Sequence, residues 1–131
     1  MALTAGLWVP REIWINKMPP IVNPLKLLAP VHIAASLINN GSEAVSLSAA
    51  TPCDVTHWAL YDPKGMVVQA EEPKNCIQQF VFFELKAGAT IRVENTLPVN
   101  GAFLHDGERY TVRFKYFGYE SSGTFIARVA V

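Results

Sequence analysis

Cys53 and Cys76 are the two cysteines of a chain of 131 residues, and the turn-like run Asp62-Pro63-Lys64-Gly65 lies almost midway between them. Three chemistries are open to such a pair. Thioredoxin-like redox sites separate their cysteines by two residues, and that spacing is absent. A structural zinc site would need both thiolates and two of His32, His57 and His105, but no pair among these has the short spacing such sites use. A disulfide asks only that the chain reverse at Asp62–Gly65, so that the cysteines meet near the open end of a hairpin. The loop from Glu71 to Asn75, with Pro73, supplies the slack that bridge geometry requires. Closing a loop of about 23 residues stabilises by about 3 kcal/mol on the chain-entropy model. The disulfide is the favoured expectation, with two free thiols as the alternative.

The remaining reactive side chains do not assemble into a catalytic pattern. His32 alternates out of an apolar strand face, His57 sits beside Trp58 in a strand, and His105-Asp106 lies in a loop, the best of the three places for chemistry. No nucleophile context accompanies them: there is no Gly-x-Ser-x-Gly elbow, no phosphate-binding glycine loop and no His-Glu-x-x-His. The carboxylates Glu71-Glu72 are neighbours on an extended chain and point opposite ways, a poor acid–base pair. Ser121-Ser122 reads as turn material. The expectation is no enzyme, no catalytic or metal-binding residue and no cofactor.

Eleven basic residues balance eleven acidic ones, which gives no electrostatic reason to expect nucleic acid as partner. No run approaches the roughly 20 apolar residues of a membrane helix. The opening residues do not read as a secretory signal, because Pro10, Arg11 and Glu12 interrupt the apolar stretch too early. A bonded Cys53–Cys76 favours a periplasmic or extracellular setting; without it the expectation is cytoplasmic.

The elements that must position these residues divide the chain in two. Residues 1–26 are expected to be an irregular arm, because Pro10, Pro19, Pro20 and Pro24 oppose a helix or a central strand. Its Trp8 and Trp14 are expected to pack on the domain, or the arm to pair as an edge strand; the rival role is partner binding. Over residues 27–131 the period changes to two. Val31, Ile33, Ala35 and Leu37 share one face, and Asn40-Gly41 signals a hairpin into Val45 and Leu47. The run Phe80–Phe83, apolar on both faces, predicts a deeply buried strand. Ile91, Val93 and Leu97 alternate with Arg92, Glu94 and Thr96. Tyr110, Val112, Phe114 and Tyr116 alternate with Thr111, Arg113 and Lys115. The segment Phe117–Gly123 reads as a turn before a last strand. About seven to eight short strands with turns between them predict an all-β, antiparallel β-sandwich, with Trp58 as a core filler between its sheets; a closed barrel is the structural alternative.

Three stretches in order, "WALYDPKGMVV", "FFELKAGATIRVENTLPV" and "GERYTVRFKYF", resemble the bacterial intracellular proteinase inhibitor domain, the BsuPI family. Trp58, Asp62, Gly65, Leu85, Gly88, Thr90, Gly107, Tyr110 and Val112 occupy the places of that family's motifs, over roughly residues 30–131; Ala87 stands where the family usually has proline. The resemblance implies an immunoglobulin-like sandwich and binding to a proteinase. The expected function is therefore a non-enzymatic protein-binding module, a proteinase among its partners, acting through loops or a sheet edge. The alternative is a structural or accessory immunoglobulin-like domain of the bacterial cell envelope. Phe103 and Leu104 in the Pro98–Gly107 loop, with Phe117 and Tyr119 in the Phe117–Gly123 turn, are the expected partner contacts. They form one patch if both loops lie at the same end.

Overall fold

The computed structural model describes residues 2–16 and 27–130 and is all-β, with ten strands among those residues. They are β1 (Leu3–Trp8), β2 (Glu12–Asn16), β3 (Val31–Asn39), β4 (Val45–Ala49), β5 (Thr56–Tyr61), β6 (Val67–Ala70), β7 (Val81–Leu85), β8 (Thr90–Leu97), β9 (Arg109–Tyr116) and β10 (Tyr119–Ala130). Two sheets, ordered β1-β3-β8 and β2-β10-β9-β5-β6, pack as a sandwich, and β4 pairs with β7 in a separate two-stranded ribbon.

The alternation read from the sequence is what builds the core. Val31, Ile33, Ala35 and Leu37 of β3 and Leu97 of β8 point inward from one sheet. Tyr110, Val112 and Phe114 of β9, Phe125 and Ala127 of β10, and Leu60 of β5 meet them from the other. Tyr110 and Phe125 stack with ring centroids 5.7 Å apart. These rings, with Phe114, are the fully buried aromatics. Trp58, expected as the central filler, is only partly buried at the margin of the core.

The opening segment is not irregular over its described part. β1 pairs antiparallel with β3 on one sheet, and β2 pairs parallel with β10 on the other. Pro10 falls between them, where a missing N–H and a fixed φ suit a strand that leaves one sheet for the next. Both pairings are the edge-strand arrangement, and the rings of Trp8 and Trp14 stay exposed. The prolines at 19, 20 and 24 lie outside the described residues. The strand count thus exceeds the expected seven to eight, and one pairing is parallel.

Three local expectations fail for stated reasons. Asn40-Gly41 does not make a hairpin, because both edges of β3 are already taken by β1 and β8, and β4 pairs with β7 instead. Gly41 is used for space: a Cβ there would sit 2.8 Å from the Cβ of Ala2. Ser121, Ser122 and Gly123 lie within β10, and the β9–β10 turn is only Phe117-Gly118, both at positive φ (50° and 82°). Two consecutive positive φ values define the type I′ turn that matches strand twist. Third, β7 is not deeply buried, as described next.

Candidate functional site

The run Phe80–Phe83, apolar on both faces, predicts a deeply buried strand, and β7 is not one. It lies instead in the ribbon, bonded only to β4 among the described residues, with its second edge unpaired. The register Val45↔Leu85, Leu47↔Phe83, Ala49↔Val81 turns Leu85 into the core, where it is buried with Leu47 and Ala49. Phe82 alternates to the outer face. Phe83 shares the inner row with Leu85 and pairs with the buried Leu47, yet it is exposed as well. Relative exposures are 67% for Ile77, 65% for Phe80, 59% for Phe82 and 42% for Phe83. Four large apolar side chains within one short segment, beside a free strand edge, are an unusual outlay of hydrophobic surface.

The ribbon is held rigidly at both ends. At one end Asn39, itself fully buried, donates through Nδ2 to the carbonyls of Leu85 (3.0 Å) and Glu43 (2.8 Å) and accepts from the Gly41 N–H (2.9 Å). Its backbone adds bonds to Gly88 and Ala89. At the other end Cys53 and Cys76 form a disulfide with Cα atoms 5.9 Å apart. Cys53 lies between β4 and β5 and Cys76 between β6 and β7, so the bridge closes the β5–β6 hairpin and the last pair of the ribbon, Ala49↔Val81, together.

His57 is tied to the segment beside this bridge through Asp54, which follows Cys53. Its Nδ1 is 2.6 Å from Glu71 Oε1 and its Nε2 3.2 Å from Asp54 Oδ1. Lys74 Nζ is 3.8 Å from Glu71 Oε2, and the Thr51 hydroxyl donates to Asp54 Oδ2 at 3.2 Å. Both imidazole nitrogens face carboxylates, and the neighbouring sulfurs are spent in the disulfide. The arrangement fastens the β4–β5 and β6–β7 connections. His105 is at the other end of β9, so the two histidines expected as loop or strand candidates do not come together. His32 Nδ1 is 2.7 Å from Thr96 Oγ1 on the outer face of its sheet. Among the described residues no group of three His, Cys, Asp or Glu could hold a metal ion.

The expected partner contacts separate. The Pro98–Gly107 loop enters β9 and the Phe117-Gly118 turn leaves it, so they lie at opposite ends of the sandwich, roughly 23 Å apart along the strand. They make no common patch. Leu104 is fully buried and unavailable to a partner, whereas Phe103 is exposed. Phe117 and Tyr119 are partly buried against the core. The loop is also tied down: Gln69 donates to the Pro98 carbonyl (3.0 Å) and accepts from the Asn100 N–H (2.8 Å). Tyr110, at the start of β9, accepts from the His105 N–H (2.8 Å) and donates to Glu108 (3.1 Å). A tyrosine at this corner, bonded back to the preceding backbone, is a recurrent device of immunoglobulin-like sandwiches. Burial pushes the Tyr110 phenol above its ordinary value of 10.0; the His105 N–H opposes that and Glu108 reinforces it.

No protein-family model matches the chain, and none of the curated proteins does. Solved structures do. The alkylpurine DNA glycosylase AlkC of Pseudomonas fluorescens, bound to DNA containing an abasic site analog, superposes with a TM-score of 0.51 at 14% identity, over 97% of this chain and 30% of that one. The likeness is one of fold. A β-glucosidase from Listeria innocua in complex with glucose (TM-score 0.48, 13% identity) is covered over 16% of its length by 96% of this chain. A β-glucuronidase from Bacteroides uniformis (TM-score 0.48, 15% identity) is covered over 13% of its length by 93% of this chain. The chain thus spans less than a third of each.

Proposed function

We propose that the protein is a non-enzymatic protein-binding module whose contact surface is the free edge of β7 with Ile77, Phe80, Phe82 and Phe83. The observation that carries this reading is the coincidence of an unpaired strand edge with exposed aromatics on a ribbon braced at both ends. An extended partner segment can add to such an edge through main-chain hydrogen bonds, while the rings supply the anchoring contacts. The resemblance to the bacterial intracellular proteinase inhibitor domain supports a proteinase as the first partner class to test. In that version the module occludes the proteinase without being turned over.

The test is residual activity of a panel of serine and cysteine proteinases incubated with micromolar domain, beside a Phe80→Asp/Phe82→Asp variant. Slowing of one proteinase by the native domain and not by the variant is the expected result. No slowing of any proteinase removes the inhibitor version; equal slowing by both proteins removes β7 as the surface. The disulfide favours a second reading, an accessory domain of the bacterial envelope in an oxidising compartment. No described helix is long and apolar enough to cross a membrane.

A further inference from the structure

A second surface, on another sheet and independent of the β7 reading, gathers positive charge. Along the outer row of β10, Thr124, Ile126 and Arg128 alternate with the buried Phe125 and Ala127. The register sets Ile126 between Arg109 of β9 and Glu12 of β2. With Arg11, which precedes β2, these six residues line a cleft of about 460 Å³. Its lining carries three guanidinium groups against one carboxylate.

The internal hydrogen bonds leave much of this charge unanswered. Arg128 donates through Nε to Glu12 Oε2 at 2.6 Å, which engages one of its five N–H groups. Arg109 donates through Nη1 to the Thr124 hydroxyl at 3.1 Å, a neutral partner. The carbonyl of Arg11 accepts from the Ile126 N–H (2.9 Å), while its guanidinium has no hydrogen-bond or ion-pair partner among the described residues. Three fixed cations around one hollow repel one another unless a counter-charge enters. Guanidinium forks are the protein groups best matched to a carboxylate or phosphate, because they bind two oxygens at once. Trp14 faces outward beside Arg128 in the parallel register and is 71% exposed. Trp14 is not itself part of the lining, but its register position beside Arg128 leaves an exposed ring next to that cation.

We propose that this cleft binds a small organic dianion, a phosphate monoester or a dicarboxylate, with its charge on Arg11, Arg109 and Arg128 and its carbon body against Trp14. The dianion matches the excess of two positive charges in the lining, and Glu12 serves to aim Arg128.

The test is titration of the ¹⁵N-labelled protein with phenyl phosphate, inorganic phosphate and malonate at constant ionic strength. The expected result is a saturating shift of the amide signals of Arg11, Glu12, Thr124 and Arg128, with phenyl phosphate binding more tightly than inorganic phosphate. The malonate arm separates a phosphate source from a carboxylate one. Arg11→Ala and Arg128→Ala should each weaken binding about tenfold, the worth of one charge-assisted contact, and Glu12→Gln should tighten it. Surface substitutions of this kind leave the spectrum of the folded core in place, so a loss of affinity is read on a folded protein. Shifts that do not saturate, that sodium chloride reproduces, or that persist unchanged in Arg11→Ala overturn the proposal.

Discussion

The carboxamide of Asn39 donates to the carbonyl of Leu85, 46 positions further along the chain, at 3.0 Å in a fully buried setting. This contact welds the end of β3 to the β4–β7 ribbon. Removing the amide strands the carbonyls of Leu85 and Glu43 and the Gly41 N–H, each of which costs about 1–3 kcal/mol when buried without a partner. Only the bond to Leu85 is fully buried, so Asn39→Ala should lose about 1–3 kcal/mol in urea unfolding. A loss below about 1 kcal/mol would show that water replaces the amide and that the weld is weak.

Reduction or the pair Cys53→Ser/Cys76→Ser should lower stability by about 3 kcal/mol, from reopening a loop of 23 residues. Because the bridge also closes the ribbon, amide exchange should rise most at Ala49, Val81 and the β5–β6 hairpin. Uniform acceleration across all strands would mean that the bridge acts on the unfolded chain alone.

Gly123→Ala tests the crossing of the opening segment over β10. A Cβ at this position would lie 2.5 Å from Cγ2 and 3.2 Å from Cβ of Val9, so the whole valine must move. Overpacking of this kind costs about 1–3 kcal/mol. Val9→Ala in the same background should recover part of the loss; no recovery would place the strain elsewhere.

Burial raises the phenols of Tyr110 and Tyr116 above 10.0. The folded chain then holds these protons more tightly than the unfolded chain. Their contribution is complete below about pH 10, the unfolded value, and is lost as the pH climbs toward the raised folded values. Urea midpoints measured from about pH 8 to about pH 11 should fall steeply only at the alkaline end. Tyr116→Phe should flatten that fall; an unaltered slope would assign it to other groups.

Phe80→Asp/Phe82→Asp should change stability by less than about 0.5 kcal/mol, since neither ring is buried. A large loss would mean that these rings support the ribbon, and the binding surface would have to be sought elsewhere.

Alternation made the sandwich legible. Val31, Ile33, Ala35, Leu37, Tyr110, Val112, Phe114 and Tyr116 all face the core as their spacing predicts. The cysteine pairing was legible too, because a reversing chain between the two residues was visible. What escaped depends on which strand edge is already occupied. Asn40-Gly41 carries a hairpin signal, yet β3 has no free edge for β4 to take. Phe80–Phe83 has the composition of a buried strand, yet burial needs neighbours on both faces and both edges, and β7 has only β4 beside it among the described residues. The role of Asn39 was not legible, because a lone polar residue reveals neither its distant acceptors nor its burial. The arginine cleft was hidden by a neutral total charge: Arg11, Arg109 and Arg128 are remote in sequence and meet only through the β2-β10-β9 order.

The parallel pairing of Glu12–Asn16 with Ile126–Ala130 has a consequence for biosynthesis. As the ribosome delivers the chain, β2 emerges long before β10, its ladder partner among the described residues. The pairing of β2 into the five-stranded sheet must wait for the synthesis of Ile126–Ala130, and until then the apolar side chains of Ile13 and Ile15 have no permanent cover. Nascent chains stalled before Ile126 should accordingly be held by chaperones, and release should follow completion of β10.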